Sequence, residues 1–440
     1  MSHALTAGAA RGDISPKTSQ FLCGYPHVER YSTGIHDPLL SSALYLNDGA
    51  TEAMFIANDI ISLSKQFVAE VRARIEKATG VPAGNIMVTA THTHSGPITR
   101  KSMSSEADPA VPDPDPAYVG FMQDILVDAA VKAHAAAAPA EIGLAEAHVE
   151  GVGTNRRDPD GPADPGAPVL LVRSVADGRT IGLMACYSMH PTVLHEDSTL
   201  VSADFPGMAR EYLQKQVLGK DCPVVYHTGP AGNQSPRHVT KGNTFEEAER
   251  LGRILGKAFE EAMSKVVFSS DVKLVVVRDL VELPKRVLPS VAEAGKKLED
   301  AVARLESLRA KGAPRQEVRT AEVDGFGAEH TLALAKAEAD GRAEAAFRAC
   351  MPAEIQVISV GPWRFVGWPG EIFVEYALEL KARFPNTYVF SLANGSLSGY
   401  LATPEAAAEG GYEASNSLQD PAGGRILVDR TAKLLSALDD

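Results

Sequence analysis

His92-Thr93-His94 sets two imidazoles two residues apart, just beyond the apolar run Ile86-Met87-Val88-Thr89-Ala90. Imidazole can act as a metal ligand or as a proton carrier near neutral pH. In extended backbone, residues i and i+2 face the same side, so both rings are expected to enter one pocket. Ser95-Gly96-Pro97 then breaks the strand and opens a loop. His190 ends a second apolar run, Ile181-Gly182-Leu183-Met184-Ala185-Cys186 and onward, with His195 close behind. The stretch Gly229 to Pro236 reads either as an ordinary turn or as an anion nest, with Ser235 as nucleophile or orienting hydroxyl. Glu371 follows Pro369-Gly370 at a strand-to-helix junction, where a carboxylate caps the helix or binds a metal. Tyr400 and Tyr412 flank a loop containing Thr403-Pro404. Histidines from different strands, a carboxylate and a phenol together make a Zn2+-type hydrolytic shell with room for water.

These residues need a scaffold, and the hydrophobic pattern supplies one. Ala53–Ala57 reads as a buried strand, followed by a helix with Phe67, Val68, Val71 and Ile75 on one side, stopped at Gly80. With Ile86–Ala90 this makes a βαβ-like unit. Asp115-Pro116 reads as a helix cap and first helical position, ahead of Met122, Ile125, Leu126 and Ala129. Val169–Val172 and Ile181–Cys186 read as paired strands, Thr244-Phe245-Glu246-Glu247 as a capping box, and Leu274–Val281 as a strand. From about 285 to 350 the chain is rich in Ala, Glu, Lys and Arg, with Leu298, Val302, Leu305 and Leu308 at helical spacing and a Gly/Pro break at 312–314. This reads as a helical hairpin insertion: a lid, an oligomer surface or a plain solvated hairpin. A β-hairpin through Gly361-Pro362 leads to Glu371 and a helix from Ile372 to Arg383. The expected fold is a single α/β domain over 1–440, with a mixed central β-sheet flanked by helices.

Composition narrows the partners. The 440 residues are 45% hydrophobic and 22% charged, with a net charge of -13, as in a globular protein that does not bind nucleic acid. Four cysteines without a CxxC fit thiols in a reducing compartment. There is no basic-then-apolar leader and no apolar run long enough to span a bilayer, so a cytoplasmic protein without stable membrane insertion is expected.

The motifs also occur in a familiar order. Gly8-Ala9-Ala10-Arg11-Gly12-Asp13-Ile14-Ser15-Pro16, Gly24-Tyr25, Gly34-Ile35-His36, Asn58-Asp59, Thr91-His92-Thr93-His94-Ser95-Gly96-Pro97, Asn155-Arg156, His190, Gly232-Asn233-Gln234-Ser235-Pro236, Pro369-Gly370-Glu371, and Gly399-Tyr400 through Tyr412-Glu413 run along almost the whole chain. This ordered set resembles the catalytic domain of the neutral ceramidase family, zinc-dependent amide hydrolases. The resemblance implies zinc held by His92, His190, Glu371 and Tyr400, and His94 as proton carrier to the leaving amine. It implies Arg156 and Tyr412 as stabilisers of the oxyanion. Ser235 stands where the family's box serine stands, as nucleophile or positioning residue; positioning is preferred, because zinc hydroxide makes a serine nucleophile unnecessary.

The sequence also departs from the family. No C-terminal β-sandwich domain is expected, since the chain ends in one helix around Arg430 to Leu438. Arg157 stands where the family usually has Ser, and Arg237 where it has Asn. Extra cations and the insertion favour a smaller, polar or anionic substrate over ceramide. The expected activity is Zn2+-dependent hydrolysis of a linear amide (N-acyl) bond in a small molecule. The alternatives are ester or lactone hydrolysis by the same residues, or a non-catalytic binding protein on the same scaffold. An HxH amidohydrolase barrel would want eight regular βα units, which the block at 285–350 interrupts. The insertion also offers a surface for a homo-oligomer.

Overall fold

The computed structural model describes residues 5–106 and 108–439. An eight-stranded mixed sheet runs in the order Val224–Thr228, Thr180–Tyr187, Gly166–Ser174, Ala138–His148, Thr6–Asp13, Leu40–Asn47, Glu52–Asn58, Ile86–Ala90. The two outermost pairs are parallel and the inner pairs antiparallel. A second sheet orders Leu274–Val281, Ala353–Val360, Trp363–Gly367 and Thr387–Phe390. The inner faces of the two sheets share one core, where Phe55, Leu170, Met184 and Val225 meet Ile358, Phe365 and Phe390. Helices close both outer faces. Lys65–Thr79 and Pro116–Ala135 bury Phe67, Val71, Met122 and Leu126 against the first sheet, and Asp204–Leu213 and Phe245–Met263 bury Phe205, Leu251 and Phe259. Val374–Arg383 and Ala422–Asp439 cover the second sheet with Tyr376, Leu380, Leu427 and Leu435. The expected mixed α/β fold is present, with its β layer doubled.

Local signals explain these boundaries. Ser64 Oγ accepts the Phe67 N–H at 3.1 Å, and left-handed Gly80 (φ 84°) ends that helix. Asp115 caps its helix by accepting the Ala117 N–H at 2.9 Å, with Pro116 at the first turn as expected. The box expected at Thr244 is only half formed. Thr244 Oγ1 accepts the Glu247 N–H, but the Glu247 carboxylate turns to the Lys241 N–H and to Arg250. A complete capping box forms at Ser290 and Glu293 instead. The insertion is three helices, Val291–Ala310, Arg315–Ala339 and Arg342–Cys350. The last buries Ala343 and Phe347 in the main core and belongs to the body of the protein. The final helix spans Ala422–Asp439, starting earlier than its sequence pattern suggests.

One feature of the large sheet governs the site. Its two edge strands, Ile86–Ala90 and Val224–Thr228, lie at opposite ends of the strand order yet touch. Thr89 Oγ1 and His227 Nδ1 are 2.7 Å apart, and Thr228 Oγ1 donates to Thr91 O at 2.5 Å. The sheet is therefore curled until its ends meet, as strand twist allows. The segment after Thr387–Phe390 completes the seam: the Ser391 N–H donates to Thr228 O and the Asn394 N–H to Val88 O. Among the described residues, no helix is long and apolar enough to cross a membrane. The four cysteines are unpaired.

Candidate metal centre

The curled sheet delivers three histidines to one point. His92 and His94 follow the edge strand Ile86–Ala90, and His190 lies three residues beyond Tyr187, the last residue of Thr180–Tyr187. The pair does not converge through strand pleating, as its spacing suggested. His92 has left-handed backbone (φ 71°), and its N–H donates to Ile60 O at 2.9 Å. Non-glycine residues seldom adopt that conformation, and it marks a site held by its surroundings. A tight turn thus replaces the extended geometry. His92 Nε2 still lies 3.4 Å from His94 Nε2 and 3.1 Å from His190 Nε2.

Each ring is oriented from behind. His92 Nδ1–H donates to Ile61 O at 2.7 Å, His190 Nδ1–H to Ala231 O at 2.5 Å, and His94 Nδ1–H to Gly24 O at 3.1 Å. With Nδ1–H given to a carbonyl, each ring turns its Nε2 toward the common centre. Glu371 Oε2 joins them, 3.3 Å from His92 Nε2 and 3.2 Å from His190 Nε2. Corner atoms of a tetrahedron around an ion about 2.05 Å away stand roughly 3.3 Å apart. His92, His190 and Glu371 form a triangle of that size, and His94 adjoins it on the His92 side. Acceptors facing acceptors in a buried space repel unless a cation lies between them. The three histidines can hold a metal ion, and the donor set fits one.

Electrostatics follow from this packing. Burial, then the neighbouring His92 and His190, hold the His94 pKa well below its usual value. Burial, then the Arg156 charge, lower His190 to about 4. Burial alone would raise Glu371, but His92 and His190 beside it outweigh that and hold the carboxylate ionised, well below its usual range. Burial, reinforced by Glu371, raises Tyr400 well above 10 and pushes Tyr412 up to about 12. A bound cation would favour the ionised phenol instead.

Glu371 and Tyr400 are register partners in the parallel pair Glu371–Ile372 with Tyr400–Leu401, so they share a face. The Tyr400 ring stacks near His190 at 6.5 Å between centroids, with Tyr412 beyond it at 5.9 Å. Arg156 lies 5.4 Å from the Tyr400 ring, donates to Gly232 O at 2.7 Å, and makes a 2.7 Å ion pair with Glu413 that lacks hydrogen-bond alignment. The first-turn N–H of helix Val374–Arg383 is taken by Asn233 Oδ1, so Glu371 is not its cap. Nor is Gly229–Pro236 an anion nest, since the Gly229, Gly232 and Gln234 N–H groups bond to Tyr187, Ile372 and Ala231 carbonyls. Its carbonyls are the working groups, accepting from His190 and Arg156. A side chain at Gly232 would put its Cβ 2.9 Å from Glu371 O, which explains the glycine. Ser235 is buried on the short strand paired with Thr154–Asn155, and its hydroxyl accepts the Arg237 N–H at 3.2 Å. Arg157 is spent on Glu409, Glu413 and the Gly410 and Ala406 carbonyls. His195 pairs with Glu196, outside the triangle.

Some neighbours carried little sequence signal. The Tyr25 ring lies 5.3 Å from His94, Arg30 donates to His94 O at 2.9 Å, and His330 of the insertion lies 5.7 Å from Tyr412. The adjacent Gly24-Tyr25 motif pointed toward the first; His330 could not be found from its helix pattern.

Residues 5–229 match the family model for neutral/alkaline non-lysosomal ceramidase, N-terminal. The chain belongs to the neutral/alkaline non-lysosomal ceramidase family. It is 26% identical over 241 residues to a neutral ceramidase of Mycobacterium tuberculosis, a match covering 49% of this chain and 37% of that protein. It is 26% identical over 314 residues to the neutral ceramidase of Pseudomonas aeruginosa, covering 63% of this chain and 45% of that one. The matched stretches thus span less than half the length of these relatives. The crystal structure of the Pseudomonas aeruginosa neutral ceramidase superposes with a TM-score of 0.75 at 20% identity, covering 99% of this chain and 75% of that one. A ceramidase complexed with C2 superposes equally well, at 18% identity.

Proposed function

We propose that this protein is a metal-dependent hydrolase of an amide (N-acyl) bond, with Zn2+ as its ion and a substrate smaller or more polar than ceramide. The observation that carries this reading is the convergence of His92 Nε2, His190 Nε2 and ionised Glu371 Oε2 at tetrahedral-edge spacing. Family membership and the similarity to neutral ceramidases support the amide. When bound, such an ion polarises a carbonyl and acidifies water to a pKa near 7. His92, His190 and Glu371 hold it, with the Tyr400 phenol as the fourth donor. His94, neutral and off the triangle, receives a proton at Nε2 and passes it to the leaving amine. Arg156 and Tyr412 face the carbonyl oxygen as its charge grows. Ser235 acts through position, paired with Thr154 on the short strand that leads to Arg156. The chain works as one catalytic unit, with helix Arg315–Ala339 as a wall of its substrate space.

Metal content of the natively purified protein, followed by turnover of matched N-acyl amide and ester substrates, tests the reading. Near-stoichiometric zinc with amide cleavage is expected. Ester cleavage without amide cleavage would favour the esterase alternative, and protein without metal would remove the hydrolytic reading altogether.

A further inference from the structure

The arginines around the centre are mostly held by carbonyls or carboxylates, although Arg30 Nη2 is buried without a partner. Arg30 donates to the Ser198 and His94 carbonyls, Arg156 is held by Gly232 O and Glu413, and Arg157 by Glu409 and Glu413. Among the described residues, no carboxylate or carbonyl pairs with the guanidinium of Arg237. The turn Pro236–His238 that carries it is fastened at both ends. The Arg237 N–H donates to Ser235 Oγ, and the His238 ring contacts Arg156 O at 3.3 Å. The side chain reaches solvent, and Arg156, Glu413, Arg319 and Tyr400 lie within its electrostatic reach.

The insertion completes this corner. Arg319 and His330 lie three helical turns apart on Arg315–Ala339, and so on one face. Arg319 is answered by Glu322 and Glu196, and the buried Nδ1 of His330, beside Tyr412, has no partner. Glu413 is already shared by Arg156 and Arg157. Among the described residues the Arg237 guanidinium therefore has no ion-pair partner of its own, with Glu413 only within its electrostatic reach.

We propose that Arg237 binds a carboxylate carried by the substrate, so that the preferred substrates are N-acyl amides of the N-acyl amino acid type. A single planar guanidinium matches a carboxylate bidentately. A phosphate dianion fits less well, because it would bring a second negative charge within reach of Glu413. This inference rests on the amide-hydrolysis reading above, and its test separates the two.

Steady-state kinetics on N-hexanoylglycine and its neutral analogue N-hexanoylethanolamine, with metal-loaded enzyme, supply that test. The wild type is expected to prefer the acylglycine at least tenfold in kcat/KM. R237Q should raise KM for the acylglycine about tenfold with little change in kcat, R237K should recover part of the loss, and the loss on the neutral analogue should be several-fold smaller. Equal losses on both substrates, or none, would overturn the proposal. If neither amide is cleaved, the amide reading fails by itself, and thermal shift with the same compounds then decides the subsite. Stabilisation selective for the carboxylate and abolished in R237Q sustains it; equal shifts, or no shift, overturn it.

Discussion

At the scale of single residues, the centre depends on imidazoles held in one orientation by backbone carbonyls. Carbonyls of Ile61, Gly24 and Ala231 take the Nδ1–H of His92, His94 and His190, leaving every Nε2 free to face inward. The two members of the HxH pair are nevertheless unequal, since only His92 belongs to the triangle with His190 and Glu371. His92→Ala is expected to lower metal retention at least tenfold, whereas His94→Ala keeps the metal and loses about 10²- to 10⁴-fold in turnover. Metal analysis beside activity reads both, and equal metal loss would make His94 a ligand. Gly24 offers a second test. It sits at φ 130°, and a Cβ there would stand 2.4 Å from His94 Nδ1. Gly24→Ala should cost about 1–3 kcal/mol in a denaturant titration and impair turnover by displacing the ring. Wild-type stability with full turnover would contradict that packing.

At the scale of elements, the curl of the eight-stranded sheet brings the histidine loops together. Its edge strands meet through Thr228 Oγ1 and Thr91 O, one residue before His92. Thr228→Val deletes that bond at nearly constant volume. It is expected to cost about 1 kcal/mol and to weaken metal retention in parallel, because the carbonyl it anchors precedes His92, a proposed ligand. Chemical denaturation and competitive chelation measure the two effects, and a stability loss without metal loss would separate the seam from the centre. The inserted helix Arg315–Ala339 is more than a solvated hairpin. Phe326 approaches His27, Gly327 abuts Tyr412 and Ser415, and His330 meets the Tyr412 ring. That a helix follows the Gly/Pro break at 312–314 was legible in sequence. Its destination was not, because helical periodicity gives a buried face without naming what buries it.

At the scale of the whole molecule, acid stability follows from histidines buried uncharged. Burial lowers His227 to about 3, with its ring stacked on Phe390 and Thr89 on its Nδ1. The unfolded chain takes up that proton near pH 6.5 and the folded one does not. Stability is therefore complete above about 6.5 and falls with pH down to about 3, by roughly 1.4 kcal/mol per pH unit for one such histidine. His227→Phe should flatten the slope by that amount in denaturation series from pH 6.5 to 4, and unchanged slopes would deny the neutral burial. The sequence by itself determined the strand and helix periods, the stop at Gly80, the cap at Asp115, and the residue types of the centre, since these depend on local backbone preference and chemical identity. It did not contain the left-handed turn at His92, the second sheet, the engagement of Arg157 or the freedom of Arg237. Tertiary structure decided those, because they depend on which distant carbonyls and carboxylates arrive beside each group once the sheet has closed on itself.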